Sequence, residues 1–323
     1  MNPTIRVFGL AALGAAGVIA LGFALPLWLL FTVTKAVGLG LVALGIVGLM
    51  RGGLVSFGQG LFYCVGAYAS GLLASRMGVT DMALLLVAGA LSGGLVAAAL
   101  SPLIARYRGI FFAMLTLAFS MVLYGVLAKV TPLGGSDGFN VPNPSFFGWN
   151  PEGEAADLAL YAAAVIAAAL AAALCRLYFD SGPGHIALAA RENELRVEYL
   201  GASVFTVTQR NFILSGALAG LGGVINGVAL GHVDPFFSYW TASGEVVFIA
   251  ILGGYGSVTA IFGAALITEL VRSFSGQYFP DSWQLALGVF LLLVVLFLPR
   301  GIGSLWTRRA GARRVGAAKE PQA

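Results

Sequence analysis

Between residues 10 and 299 the sequence is a succession of long apolar stretches, with its charged residues in the gaps between them. The stretches are far longer than the ~10 residues of a barrel strand. They match the ~20 residues that a helix needs to cross about 30 Å of hydrocarbon. Backbone polar groups in lipid must be satisfied internally, so runs of this length predict transmembrane helices. The pattern places spans over 7–25, 30–50, 54–75, 82–105, 109–129, 155–176, 211–231 and 282–299. A further apolar segment, 243–274, is interrupted at Gly253-Gly254-Tyr255-Gly256. The expected fold is all-α: a polytopic helical membrane protein of about 8–10 transmembrane segments, some of them broken by glycine.

Composition agrees with this reading. Only 10% of residues are charged and 59% are hydrophobic, too little charge for the surface of a soluble 33.3 kDa domain. Residues 1–303 form the expected transmembrane domain, and 304–323 a basic cytoplasmic tail expected to be disordered. The net charge of +4 sits at span ends and in the tail, as membrane topology requires, so the expected environment is a lipid bilayer and no nucleic acid is implied. Cys64 and Cys175 lie in apolar stretches and read as packing residues, without a disulfide or metal site. Arg6 and the apolar run after it resemble a signal peptide. A second run follows at once with no clear cleavage site, so the first is read as a retained span.

Placing the N-terminus in the cytoplasm puts 14 of the 18 Lys and Arg residues inside and leaves Lys35, Arg76, Lys129 and Arg272 outside. The C-terminus is then cytoplasmic too. Segment 243–274 must start and finish outside, as a re-entrant hairpin or two short crossings. The long loop 130–154 is external and the loop 178–210 cytoplasmic.

The chemistry is sparse. There is no GxxxxGK[ST] phosphate loop, HExxH, CxxC or GxSxG, and His185 and His232 lie far apart. No catalytic residue, metal or cofactor is expected, and the chain does not read as an enzyme. Ionisable residues in hydrocarbon are expensive and point to function. Glu245 and Glu269 flank the broken segment, and Arg272 stands three residues after Glu269, where the two could meet on one helix. Arg272 reads as an interfacial residue that snorkels; Glu245 is kept as a pathway residue. Spans 82–105, 109–129 and 282–299 hold no interior charge, which argues against coupling to an ion gradient.

Two further patterns stand out. Gly52-Gly53-Leu54-Val55-Ser56 and Gly253-Gly254-Tyr255-Gly256-Ser257 share GGxxS. Paired glycine-broken segments can mark a central pathway built from a repeat; chance or close helix packing explains them equally well. In the loop, residues 188–200 are good helix formers and Gly201 is placed to end a helix. Leu188, Leu195 and Tyr199 share a face, flanked by Glu192 and Arg196. Such a stripe can dock into a partner's groove or pack back onto the spans.

At this loop the chain resembles the permease subunits of ATP-binding-cassette importers, specifically the branched-chain amino acid group. The group's cytoplasmic coupling helix is matched by Arg191-Glu192-Asn193-Glu194 and Gly201. The resemblance continues through Ser56-Phe57-Gly58-Gln59 to Phe62, Gly66-Ala67-Tyr68, Arg108-Gly109-Ile110-Phe111-Phe112-Ala113, Leu115-Thr116-Leu117-Ala118-Phe119 and Gly134-Gly135-Ser136-Asp137-Gly138. It ends with Ser215-Gly216-Ala217-Leu218-Ala219-Gly220, Leu252-Gly253-Gly254-Tyr255-Gly256-Ser257 and Pro299-Arg300-Gly301, and the second-permease type fits better than its paired homologue.

The resemblance implies a membrane subunit that pairs with a homologous permease. Two cytoplasmic ATPase subunits would drive it and a periplasmic substrate-binding protein would supply it, all at a bacterial inner membrane. It implies a substrate pathway near Ser56, Gly58, Gln59, Gly60, Gly253, Gly254, Gly256, Ser257 and Glu245, and ATPase coupling through Arg191, Glu192, Glu194, Leu195 and Gly201. The implied solute is a branched-chain amino acid. Gln59 stands where members often have His, Arg196-Val197 replaces the usual Ala-Ala, and Phe236-Phe237-Ser238-Tyr239-Trp240 is unusually aromatic. Urea, short amides or another small solute therefore stay open. So do two readings from other classes: a stand-alone carrier or channel, and a structural membrane subunit of a larger enzyme.

Overall fold

The long apolar runs become helices in a computed structural model, which describes residues 3–278 and 283–297. In chain order these are α1 (Pro3–Gly22), α2 (Leu27–Met50), α3 (Gln59–Met77), α4 (Met82–Ile104), α5 (Gly109–Leu127) and α6 (Glu154–Phe179). They continue as α7 (Gly182–Glu192), α8 (Glu194–Tyr199), α9 (Val204–Leu230), α10 (Trp240–Gly253), α11 (Val258–Tyr278) and α12 (Trp283–Phe297). Seven of them are long and apolar enough to cross a membrane. The protein is a polytopic helical membrane protein. Strand is confined, among the described residues, to β1 (Phe139–Asn140) and β2 (His232–Val233), paired antiparallel with Phe139 opposite Val233.

Local chemistry sets the helix ends. Asp81 caps α4, its Oδ1 accepting from the Ala83 and Leu84 amides at 3.0 and 3.3 Å. Its Oδ2 accepts from the Phe147 amide at 2.8 Å and so pins the long loop 130–154 to the helix start. Ser203 caps α9 through the Thr206 amide, which starts that helix seven residues before the expected 211. The expected span 54–75 begins only at Gln59. Its first residues, Leu54 to Gly58, are not helical. Gly53 adopts φ +76°, a left-handed turn, and the chain re-enters the core with Ser56 and Gln59 fully buried.

The core is centred on α9, against which α2, α3 and α4 pack. Small residues make this possible. A Cβ on Gly220 would strike the Gly89 carbonyl, one on Gly93 the Gly216 carbonyl, and one on Gly223 the Tyr63 carbonyl. Backbones thus meet along α3, α4 and α9, the close approach that small-xxx-small spacing permits between helices in lipid. At the periphery, α1 packs on α6 and keeps most of its apolar surface outward, with Leu13 at 73% exposure. Cys64 and Cys175 are buried free thiols.

The expected break in 243–274 is present as the turn between α10 and α11. α10 has 14 residues, and at 1.5 Å per residue that is about 21 Å, short of the ~30 Å apolar thickness. The Pro299-Arg300-Gly301 motif, the basic residues that follow it and the tail 304–323 lie outside the described residues.

Candidate functional site

Four ionisable side chains meet inside the helix bundle. Lys35 of α2 donates to Glu269 Oε1 of α11 at 2.6 Å. Arg272, one turn further along α11, donates through Nη1 to both oxygens of Glu245 on α10, at 3.0 and 3.1 Å. Its distance to Glu269 Oε2 is 3.8 Å. Two acids and two bases therefore neutralise one another, with the Glu269 side chain only 4% exposed. The partly exposed Arg272 side chain is thus engaged by two carboxylates of the bundle. Lys35 lies within an apolar helix. The helix starts at Leu27, which puts Lys35 two turns into α2, and the carboxylate it needs comes from α11.

This cluster forms part of the wall of a cavity of about 800 Å³, at the large end of ligand-sized pockets. Lys35, Glu245 and Arg272 line it, together with Asn226 of α9 and Asp234 of the β2–α10 connection. Asn226 Nδ2 donates to the Tyr63 hydroxyl at 3.0 Å, while its Oδ1 is buried without a partner among the described residues. Asp234 Oδ1 accepts from the Phe236 amide at 2.8 Å and opens the turn Pro235–Ser238. That turn delivers the aromatic segment to the cavity. Phe236, Tyr239 and Trp240 line it, and Phe237 stacks on Tyr63 with ring centres 4.8 Å apart.

Of the expected pathway residues, Glu245 reaches this cavity and the others lie elsewhere. Ser56 and Gln59 are fully buried and do not line it. The Ser56 hydroxyl accepts from the Gly58 amide at 3.2 Å, and Gln59 Nε2 donates to the Ser215 hydroxyl at 2.8 Å. Gly58 abuts the Thr116 backbone, and the Gly60 amide donates to the Ser243 hydroxyl at 2.9 Å. These residues cement α3 to α5, α9 and α10. Gly253, Gly254, Gly256 and Ser257 form the α10–α11 turn, with Gly254 at φ +72°. Sequence reasoning missed Lys35, Asn226 and Asp234. A lysine inside an apolar run was the available signal for the first.

The coupling segment differs from its expected form. The single helix over 188–200 is two helices, because Asn193 is extended (φ −160°, ψ 103°). Its side chain accepts from the Arg196 amide at 2.9 Å and starts α8 as an N-cap. Leu188 therefore belongs to α7 and does not share a face with Leu195 and Tyr199. Those two, with Leu200, stand exposed at 67%, 89% and 82%. Gly201 follows α8 with φ +86°. Glu192 and Arg196 are exposed. Both oxygens of Glu194 accept from Arg108 Nε at 2.8 and 3.0 Å, tying α8 to the α4–α5 junction. Arg191 passes Gly53, where an added Cβ would lie 3.3 Å from its Cγ, and stacks on Tyr255 of the α10–α11 turn. The two GGxxS segments thus converge on one arginine.

Known proteins carry the same pattern. The family described as "Branched-chain amino acid transport system / permease component" matches residues 28–298. The high-affinity branched-chain amino acid transport system permease protein LivM of Escherichia coli is 30% identical over 316 residues, covering 88% of this chain and 71% of the relative. LivH of Salmonella typhimurium, a permease protein of the same kind of system, is 25% identical over 77% of this chain and 85% of its own length. A probable LivH of Methanocaldococcus jannaschii is 26% identical over 76% of this chain and 82% of its own length. No solved structure gives a significant match. A multi-pass helical bundle with a charged internal cavity, matched over nearly its whole described length, identifies the chain as a member of the branched-chain amino acid transport permease family.

Proposed function

We propose that the chain is the membrane-spanning subunit of an ATP-binding-cassette importer of the inner membrane. In this reading it carries branched-chain amino acids delivered by a periplasmic binding protein. It pairs with a homologous permease, and two cytoplasmic ATPase subunits engage α7 and α8. One observation carries the reading. α8 holds Leu195, Tyr199 and Leu200 out into solvent while Glu194 and Arg191 fasten the segment to the bundle. An apolar, rigidly held surface of this kind suits a partner that pushes on it. The basic-residue asymmetry supports a cytoplasmic position for that end, and the cavity, near the β1–β2 end, then faces the binding protein.

The test is co-purification and transport. The parent chain is expected to bring down both ATPase subunits and to support leucine uptake that stops when ATP is depleted. Leu195→Asp is expected to lose the ATPases while keeping the fold of the bundle. Uptake driven by an ion gradient without ATPase subunits would replace this reading with a secondary carrier. Uptake of urea or short amides in place of leucine would change the solute and keep the importer.

A further inference from the structure

A second cavity, of about 330 Å³, lies at the periphery between α1 and α6, with parts of α2 and α11 behind it. At one end the two outer helices touch. The Tyr161 hydroxyl of α6 donates to the Val18 carbonyl at 2.7 Å, and a Cβ on Gly22 would strike the Tyr161 ring. Toward the other end they part, and a Cβ on Gly14 or Gly9 would meet no atom within 4 Å. The walls are mostly alanine, glycine and valine, with Phe262 of α11 among them. Facing residues this small let two helices close on each other in lipid; here they line a gap. Leu10 and Gly14 stand exposed at its edge, so the groove opens on the apolar perimeter of the bundle. An apolar space of this kind does not hold water, and leaving it empty forfeits the dispersion contacts of its walls.

Length and charge restrict the occupant. The lining runs from Val7 to Val18 on α1 and from Val165 to Arg176 on α6. Either stretch rises about 16 Å, close to half of the ~30 Å hydrocarbon thickness and so the depth of one leaflet. The open end is cationic. Arg176 lines the mouth, is exposed, and has no ion pair or side-chain hydrogen bond among the described residues. Arg6 precedes Val7 at the same end of α1 and is exposed too. A hydrocarbon chain matches the length and composition of the groove, and a phosphate matches its mouth, since a guanidinium pairs with two phosphate oxygens at once. A choline or ethanolamine head group would bring its own cation toward these arginines. A head group with a phosphodiester and no ammonium neutralises them, as acidic lipids do in basic pockets between membrane helices.

We propose that this groove is a binding site for an anionic phospholipid, with one acyl chain lying between α1 and α6 and the phosphate on Arg176. In the proposed orientation the lipid belongs to the cytoplasmic leaflet. The site is independent of which solute is carried and of what drives transport. α1 ends at Gly22, before the residues 28–298 that match the permease family, so an element outside the matched region completes the groove. Val258 and Phe262 of α11 also line it, which puts the lipid against the helix that carries Glu269 and Arg272.

The experiment places the full chain in vesicles of equal parts phosphatidylglycerol and phosphatidylcholine. A trace of one lipid or the other carries the same photoactivatable acyl chain, and peptide mass spectrometry locates the adducts. The phosphatidylglycerol probe is expected to mark groove residues such as Ala11, Ala15, Ala169 and Ala172 several-fold more than the phosphatidylcholine probe. Both probes should mark Leu91 and Leu95, on the exposed face of α4, to the same extent. Arg176→Gln is expected to bring the groove preference down toward that at α4, and Arg176→Lys, which keeps the charge, to retain most of it. Gly14→Leu fills the open space and is expected to cut groove labelling by either probe several-fold, with α4 labelling unchanged. Equal labelling of the groove by the two probes overturns the proposal, since it leaves only hydrocarbon solvent there. Absence of groove labelling overturns it as well, because protein then covers the face, and so does a preference unchanged by Arg176→Gln. The comparison of probes in the parent decides the matter even where a variant fails to fold.

Discussion

The guanidinium of Arg191 lies over the ring of Tyr255, 4.2 Å from its centre. This contact joins α7 to the turn between α10 and α11, and those two helices carry Glu245 and Arg272 to the cavity. A push on α7 therefore has a direct route to the cavity wall. A cation–π contact is worth about 0.5–2 kcal/mol, enough to transmit a bias without holding the fold together. Tyr255→Leu is expected to assemble normally but to lower uptake per ATP hydrolysed, whereas Tyr255→Phe keeps the ring and the coupling. Equal coupling ratios in the two variants would remove this contact from the route.

The Arg108–Glu194 pair makes a second, independent attachment of the same segment. Its side chains are 31% and 41% exposed, so its contribution to stability is small, about 0.2–1 kcal/mol. Glu194→Lys is expected to leave the thermal midpoint near that of the parent while reducing uptake through a displaced α8. Adding Arg108→Glu restores the pair with reversed sign, and uptake should recover at least in part. A double variant no better than the single would show that Glu194 acts on a partner and not on Arg108.

Inside the bundle the balance of charge dominates. Lys35→Met leaves Glu269 with the more distant Arg272 alone, and breaking a buried pair from one side costs about 3–5 kcal/mol. The double variant Lys35→Met/Glu269→Gln removes both members and is expected to be more stable than Lys35→Met. Thermal unfolding followed by tryptophan fluorescence provides the comparison, and strict additivity of the two changes would contradict the pairing.

Glycine substitutions separate the seam from the periphery. Gly220→Ala drives a methyl group into the Gly89 carbonyl, while Gly14 on α1 has no atom within 4 Å of the same added methyl. Overpacking of this kind costs about 1–3 kcal/mol, so Gly220→Ala should lower the thermal midpoint and Gly14→Ala should not. Similar midpoints for both variants would mean that the helices separate at little cost.

Orientation is checked with single cysteines. Ser136 lies in the 130–154 loop, proposed to be external, and Ser181 at the start of α7, and impermeant reagents should label Ser136→Cys and Ser181→Cys from opposite faces. Labelling from one face would reverse the proposed placement of the ATPases.

The long helices were legible because hydrocarbon leaves a chain few options and the apolar run lengths report them. The α10–α11 break was legible because glycine marked it. The start of α3 was not, since Leu54 and Val55 are as apolar in a non-helical segment as in a helix. Asn193 carried a local signal for the α7–α8 break, its side chain being a good helix cap, but strong helix formers surround it. The cavity was the least readable feature. Lys35 and Glu269 are 234 residues apart, and nothing local to either announces the other. The same holds for the pathway glycines. Their type indicated close approach, and the folded chain shows which groups stand against them: the Thr116 backbone at Gly58, Ser243 at Gly60 and Ile261 at Gly253.

The backbone contact along α3, α4 and α9 divides the molecule into a frame and a leaf. Helices separated by a layer of long side chains can slide as rotamers change, but helices touching through glycine have no such lubricant. A slip of one residue brings a methyl or isopropyl group, such as that of Val224, against a carbonyl. The frame therefore holds its registry through a working cycle. The leaf is the α10–α11 hairpin, which turns at Gly254 (φ +72°) and is contacted by Arg191 at Tyr255. In the proposed ATP-driven importer, a push on α7 would reach that hairpin first, and its helices carry Glu245, Glu269 and Arg272.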